Sequence, residues 1–214
     1  MIERIVVLML SVGMCVSMAH GEIVAIGDVS PADPATWTNS TDASVGATGV
    51  GSVTIDNGSD VVSRFSDLGA QSGSNGTVTV TGAGSTWTTF AELSVGYEGD
   101  GALNITDGGT VSSIESFIGN WPGSTSVVTV SGVGSAWTNS YGLYVGYDAE
   151  GTLNITAGGV VANVDGFIGV AIGSTGAVTL QDAGSSWTNS EDLYIGGSDT
   201  LSGGMGALNI SDGL

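Results

Sequence analysis

Carboxylates are the only plentiful reactive groups in this 214-residue chain: 21 aspartates and glutamates stand against two basic side chains, for a formal net charge of −19. Their spacing sorts them into sets. Asp42, Glu92 and Asp192 share one position in steps of 50 or 100, with Gly142 at the equivalent site. Glu115 and Asp165 share another, where Phe65 stands in the first unit. Glu98 and Asp100, and again Asp148 and Glu150, cluster after Tyr97 and Tyr147. Paired carboxylates equip a glycoside hydrolase, which needs two of them about 5 or about 6.5–9.5 Å apart. A polysaccharide lyase on a β-helix adds a basic residue, and Arg64 is the candidate. The plainer reading is that a carboxylate recurring once per repeat is a solvated turn residue. The expectation is therefore no catalytic, no cofactor-binding and no metal-binding residue. Calcium is the cation such oxygen donors suit, yet Thr106-Asp107-Gly108-Gly109 is a glycine-rich turn and lacks the Gly-Gly-x-Gly-x-Asp signature.

Other chemistries lack their residues. The one cysteine, Cys15, and the one histidine, His20, both fall in residues 1–21, which read as a signal peptide. Arg4 is the positive region, Ile5 to Met18 the apolar run, and Ala19-His20-Gly21 places small residues at −3 and −1 of a cleavage site. The run is shorter than the ~20 residues a spanning helix needs, and Met14 before Cys15 argues against lipid attachment. Cleavage after Gly21 leaves a mature chain from Glu22 with Arg64 as its one basic residue. Nucleophile–histidine pairs, His/Cys metal sites and disulfides are excluded from such a chain. An acidic surface also has no grip on nucleic acid or anionic lipid.

The elements that must position the carboxylates are repeats. Trp37, Trp87, Trp137 and Trp187 are spaced by 50, whereas Trp121, in Asn120-Trp121-Pro122-Gly123, reads as a turn residue. Glycines closing short apolar strands recur at Gly46, Gly69, Gly96, Gly119, Gly146, Gly169 and Gly196, in steps alternating 23 and 27. Alternating strands such as Val78-Thr79-Val80, Leu103-Asn104-Ile105 and Val128-Thr129-Val130 step by 25, until an insertion precedes Leu208-Asn209-Ile210. The third strand carries tryptophan in one coil and Val61, Val111 or Val161 in the next. With 37 glycines, three prolines and a mean hydropathy of +0.32, the chain is neither collagen nor disordered. Nothing has the 3.6-residue period of a helix.

These features predict an all-β chain: a parallel β-helix, or solenoid, of about seven coils of ~25 residues, two coils per 50-residue repeat. A propeller is the rival, but its blades show no half-repeat near 25. Val45, Leu68, Val95, Ile118, Val145, Ile168 and Ile195 should form one inward column. Asn104, Asn154 and Asn209, alternating with Thr79, Thr129 and Thr179, should form an exposed, hydrogen-bonded ladder. The tryptophans should fill a wide interior corner. Residues 22–35 should form a cap or the last strand of a zeroth coil with a loop, and residues 36–214 the repeats.

Residues Gly134 to Leu180 resemble the type V secretion/PEP-CTERM-associated repeat nearly throughout: Gly134-Ser135-Ala136-Trp137-Thr138-Asn139-Ser140, Leu143-Tyr144-Val145-Gly146-Tyr147, Gly151-Thr152-Leu153-Asn154-Ile155 and Phe167-Ile168-Gly169. The resemblance covers roughly Thr36 to Leu214, and Asp67-Leu68-Gly69 is its main departure. It implies a right-handed solenoid in a bacterial surface or secreted protein, as an autotransporter passenger or upstream of a sorting segment, with motif positions that are structural. The functional expectation is a non-catalytic passenger, stalk or adhesin-like segment, exported to the cell surface or beyond. Its partner would be an unknown surface ligand such as a polysaccharide. The alternative is a carbohydrate-active β-helix enzyme using the paired carboxylates. The period is also unfinished at Leu214, so a longer natural chain or end-to-end association is expected.

Overall fold

The computed structural model describes residues 21–200 and 203–211. The proposed signal peptide and cleavage site lie outside the described residues except for Gly21. The described chain is all-β apart from one short 3-10 turn at Pro34–Thr36, and its strands wind into a parallel solenoid of three faces.

The long face is built of seven-residue strands: Val50–Asp56, Asn75–Thr81, Asp100–Thr106, Thr125–Ser131, Glu150–Thr156, Thr175–Gln181 and Met205–Ser211. The tryptophan face has Asp60–Ser63, Thr86–Thr89, Thr110–Ser113, Ala136–Asn139, Val160–Asn163 and Ser186–Asn189. The carboxylate face has Asp42–Val45, Phe65–Leu68, Glu92–Val95, Glu115–Ile118, Gly142–Val145, Asp165–Ile168 and Leu193–Ile195. The tryptophan face is a 6-stranded sheet, so about six turns are complete, whereas the other two faces carry a further parallel rung. That is why counting glycine-closed strands suggests about seven coils.

Period-2 alternation explains the strands. Each buries its odd or even residues inward and leaves the rest outward, as in the exposed–buried alternation along Asp100–Thr106. Val45, Leu68, Val95, Ile118, Val145 and Ile168 are buried as an inward column, while Ile195 in the last rung is half exposed. At the corner that follows each of these strands the chain must turn through positive φ. Gly146 has φ +70°, and a β-carbon there would strike the Thr175 carbonyl of the next rung.

Two expectations need correction. Thr79, Asn104, Thr129, Asn154 and Thr179 are half-buried rather than exposed, because flanking rungs stand only about 4.8 Å away. The side-chain hydrogen bonds of this face run two positions further on, from Thr106 to Thr81 at 2.9 Å and from Thr156 to Ser131 at 3.0 Å. Of the two alternatives for Ile23 to Ile26, a cap or the last strand of a zeroth coil, the second is the one overturned: they lie in an edge strand that is not parallel to the coils. Glu22–Gly27 runs antiparallel to Val50–Asp56, and Val29–Ser30 antiparallel to Asp42–Val45. Between them the Asp28 carboxylate accepts the N–H groups of Thr48 at 2.6 Å and Gly49 at 2.7 Å, which holds its pKa down and fixes the reversal.

The fifty-residue period has a packing cause. Val61, Trp87, Val111, Trp137, Val161 and Trp187 stack in register, one per rung. Across the interior corner, the tryptophan rungs carry Leu93, Leu143 and Leu193, and the valine rungs carry Ser66, Ser116 and Gly166. Large rungs lean over small ones: a β-carbon on Gly166 would lie 3.0 Å from both the Trp187 ring and Leu193. Alternating large and small layers fill the core at even density, which identical layers could not do. Trp37 departs from the series, sitting after the 3-10 turn and donating its indole N–H to the Pro31 carbonyl at 2.9 Å.

Candidate functional site

The carboxylate face gathers most of the sequence candidates into one column. Asp42 pairs with Phe65, Glu92 with Glu115, and Gly142 with Asp165. Asp192 joins them through its backbone N–H, which donates to the Asp165 carboxylate at 3.1 Å. Two positions that look separate in the sequence are therefore one position in space. An extra residue at the preceding corner of every tryptophan coil (Phe90, Ser140 or Ser190) hides the register.

Two residues along each strand, the same outward face carries a ladder of rings. Phe117 and Tyr144 stack at 4.7 Å, Tyr144 and Phe167 at 4.5 Å, and Phe167 and Tyr194 at 5.0 Å, all within 8° of parallel. Tyr147, at the next corner, packs edge-on to Phe117 and Tyr144. Trp121 is an exposed turn residue as expected, and its ring lies beside Tyr97. The rings of the ladder come from Phe-Ile at 117 and 167 and Leu-Tyr at 143 and 193, each pair 50 residues apart. Seeing that it is one column required the register.

The tyrosine hydroxyls turn toward the carboxylates. Tyr194 donates to Asp192 at 3.2 Å, and Tyr144 meets Glu115 one rung below. Burial, with the Glu115 charge beside it, pushes the Tyr144 phenol up. Burial also raises Glu115 above the usual carboxyl range, the Tyr144 hydroxyl opposing this and Glu92 adding to it. Glu92 in turn accepts from the Ser94 hydroxyl at 2.8 Å. Asp67 was not singled out by its spacing. It points outward from the second rung, where burial, then Glu92, then Asp42 push its pKa up to about 6.

Arg64 sits at the foot of this column, not in a cleft. Its guanidinium grips Asp42 with two hydrogen bonds, 2.8 Å from Nε and 2.6 Å from Nη2, and lies 4.8 Å from the centre of the Phe65 ring. The pair holds Asp42 below the ordinary carboxylate range.

The remaining candidates lie at another corner. Asp148 and Glu150 line a depression of about 450 Å³ with Pro122, Ile172 and Thr175. Asp100, one repeat earlier, accepts the Thr125 N–H at 2.8 Å. Among the described residues no group of three or more His, Cys, Asp or Glu is arranged to hold a metal ion. No described helix is long and apolar enough to cross a membrane.

No protein-family model, curated protein or solved structure matches the chain. What the face can do follows from its own chemistry. Glu92 and Glu115 are register neighbours, one rung of about 4.8 Å apart, and burial pushes Glu115 toward holding its proton. They sit on an outward sheet, in a line of like groups, which suits repeated weak contacts along the solenoid axis.

Proposed function

We propose that this chain is a non-catalytic, exported β-solenoid, displayed at the cell surface or beyond as a passenger, stalk or adhesin-like segment. The observation that carries the reading is that the outward chemistry repeats rung by rung. Carboxylates, rings and corner residues run as columns along the axis instead of converging on one point. A stack whose interior is filled by its own side chains makes a stiff rod, which spaces or presents those columns. The signal-like residues 1–21 and the resemblance to surface-protein repeats support export. N-terminal sequencing of secreted material tests it: the mature chain should begin at Glu22, or at His20 if the nearer Ala19 is used. A secreted protein retaining Met1 would contradict processing.

One observation favours a carbohydrate-active enzyme instead, the neighbouring Glu92 and Glu115 with the latter's raised pKa. Assays of the purified chain against acidic and neutral polysaccharides separate the two readings. The display reading expects no turnover; turnover abolished by Glu92→Gln or Glu115→Gln would replace it with the enzyme.

A further inference from the structure

At the corner where the tryptophan face meets the carboxylate face, backbone hydrogen bonds link one residue per rung. The Ala91 N–H donates to Arg64, Ile114 to Ala91, Tyr141 to Ile114 and Val164 to Tyr141. This seam is apolar and open: Phe65 is 39% exposed, Phe90 51%, Ile114 47% and Tyr141 55%. It borders the carboxylate column directly, since Phe65, Glu92, Glu115 and Asp165 begin the strands that follow it.

The first rung shows what the seam and the column recognise together. There the chain supplies its own guanidinium, Arg64, clamped by the Asp42 carboxylate and laid against the Phe65 ring. Planar, bidentate carboxylate contact combined with an aromatic ring is the mode that suits arginine and not lysine. In the rungs above, the carboxylates recur but the seam position holds Ala91, Ile114, Tyr141 and Val164, and no cation. Arg64 is the one arginine or lysine among the described residues of a chain of net charge −19, and it is held by Asp42, so no other described guanidinium serves Glu92, Glu115, Asp165 or Asp192.

We infer that this corner is a docking surface for an arginine-bearing extended polypeptide, whose guanidinium groups repeat at the upper rungs the carboxylate contact that Arg64 makes with Asp42, with the seam rings Phe90 and Tyr141 beside them in place of Phe65. The carboxylate column supplies the charge, and Phe90, Ile114 and Tyr141 cover the aliphatic stems. The inference names a partner class for the display role proposed above and rests on it. Capture failing while the chain is still secreted overturns the inference alone.

Fluorescence anisotropy of a labelled nona-arginine peptide, titrated with the full chain at about 0.15 M salt, tests it. Binding should saturate and should be tighter than that of nona-lysine. The double variant Glu115→Gln/Asp165→Asn should weaken it about tenfold, as loss of two exposed ion pairs allows. Asp107→Asn/Asp182→Asn, which removes the same charge at a different corner, should leave it within about twofold of the parent. Tyr141→Ser should weaken it with no change in charge at all. Circular dichroism confirms that each variant is folded. Equal weakening by both charge pairs, equal binding of nona-lysine, or tighter binding of a glucosamine oligomer would each overturn the inference.

Discussion

The Tyr144 ring lies across Gly142: a β-carbon on Gly142 would stand 2.7 Å from Cε2 and 3.0 Å from both Cζ and the hydroxyl oxygen. The gap in the carboxylate column is therefore the seat of the ring that joins Phe117 to Phe167. Phe117, Phe167 and Tyr194 stack with an acid two residues before each, so glycine here accommodates the lean of the Tyr144 ring toward the column, not stacking as such.

Restoring the acid should push the Tyr144 ring out of its seat over residue 142. Gly142→Glu should displace Tyr144 and cost about 1–3 kcal/mol, the worth of two ring pairs at roughly 0.5–1.5 kcal/mol each. Urea denaturation measures the loss, and the near-UV circular dichroism of the stacked rings should fall with it. An unchanged near-UV spectrum would contradict the arrangement.

Asp67 should contribute more to stability in mild acid than at neutral pH. Its folded pKa is pushed up to about 6 from the ordinary 3.8, so between those values the folded state binds the proton more tightly than the unfolded state does. Its contribution to stability is fully present below about pH 3.8 and is lost as the pH rises through 6. A two-unit shift corresponds to roughly 3 kcal/mol at most, and screening of its exposed part reduces this to about 1–2 kcal/mol. Asp67→Asn should therefore raise stability at pH 7.5 by about that amount and change it little at pH 4. Equal effects at both pH values would refute the assignment.

A charge in the central stack should unfold the chain. Val145 is fully buried between Ile118 and Ile168 in the inward column. Val145→Asp leaves a carboxylate there with no partner, at a cost of more than about 4 kcal/mol. Far-UV circular dichroism should show the β signal lost in a single step, and a native melting curve would be incompatible with the fold.

The buried indole of Trp137 offers a stabilising change. Trp87 donates its N–H to Ser63 at 3.2 Å and Trp187 donates to Asn163 at 2.6 Å, whereas the Trp137 N–H has no partner. The equivalent Ser113 turns instead to Asn139 at 2.6 Å. Ser113 also shares a hydrogen bond with Ser116 at 2.7 Å, and the coil that carries Asn163 has Gly166 in the place of Ser116, so Ser113→Asn should help only together with Ser116→Gly. The double variant should gain about 1 kcal/mol from the satisfied indole, read as a higher urea midpoint. Ser113→Asn alone should gain nothing or lose stability through overpacking.

Much of the fold was legible because a stack of coils turns sequence period directly into geometry. A residue and its copy one coil later must lie about 4.8 Å apart, so the spacing of Val45, Leu68 and Val95 names an inward column before any coordinate is known. The alternation of tryptophan with valine likewise announced a two-coil unit. Direction was not legible. Glu22–Gly27 is an apolar strand that pairs with the long face, yet it runs antiparallel, and the run Ile23-Val24-Ala25-Ile26 carries no sign of direction.

The sequence by itself determined the strand period, the inward columns and the acidic, lysine-free surface, because each depends only on residue type and on spacing along the chain. The register is implied there too, since Glu92 and Glu115 each lie three residues before a member of the inward column, Val95 and Ile118. Tertiary structure decided which outward side chains of that register touch, and how. The ring ladder, the half-buried carboxyl of Asp67 and the guanidinium of Arg64 on Asp42 all follow from that register. Each is a contact between neighbouring coils, which spacing within one coil does not specify.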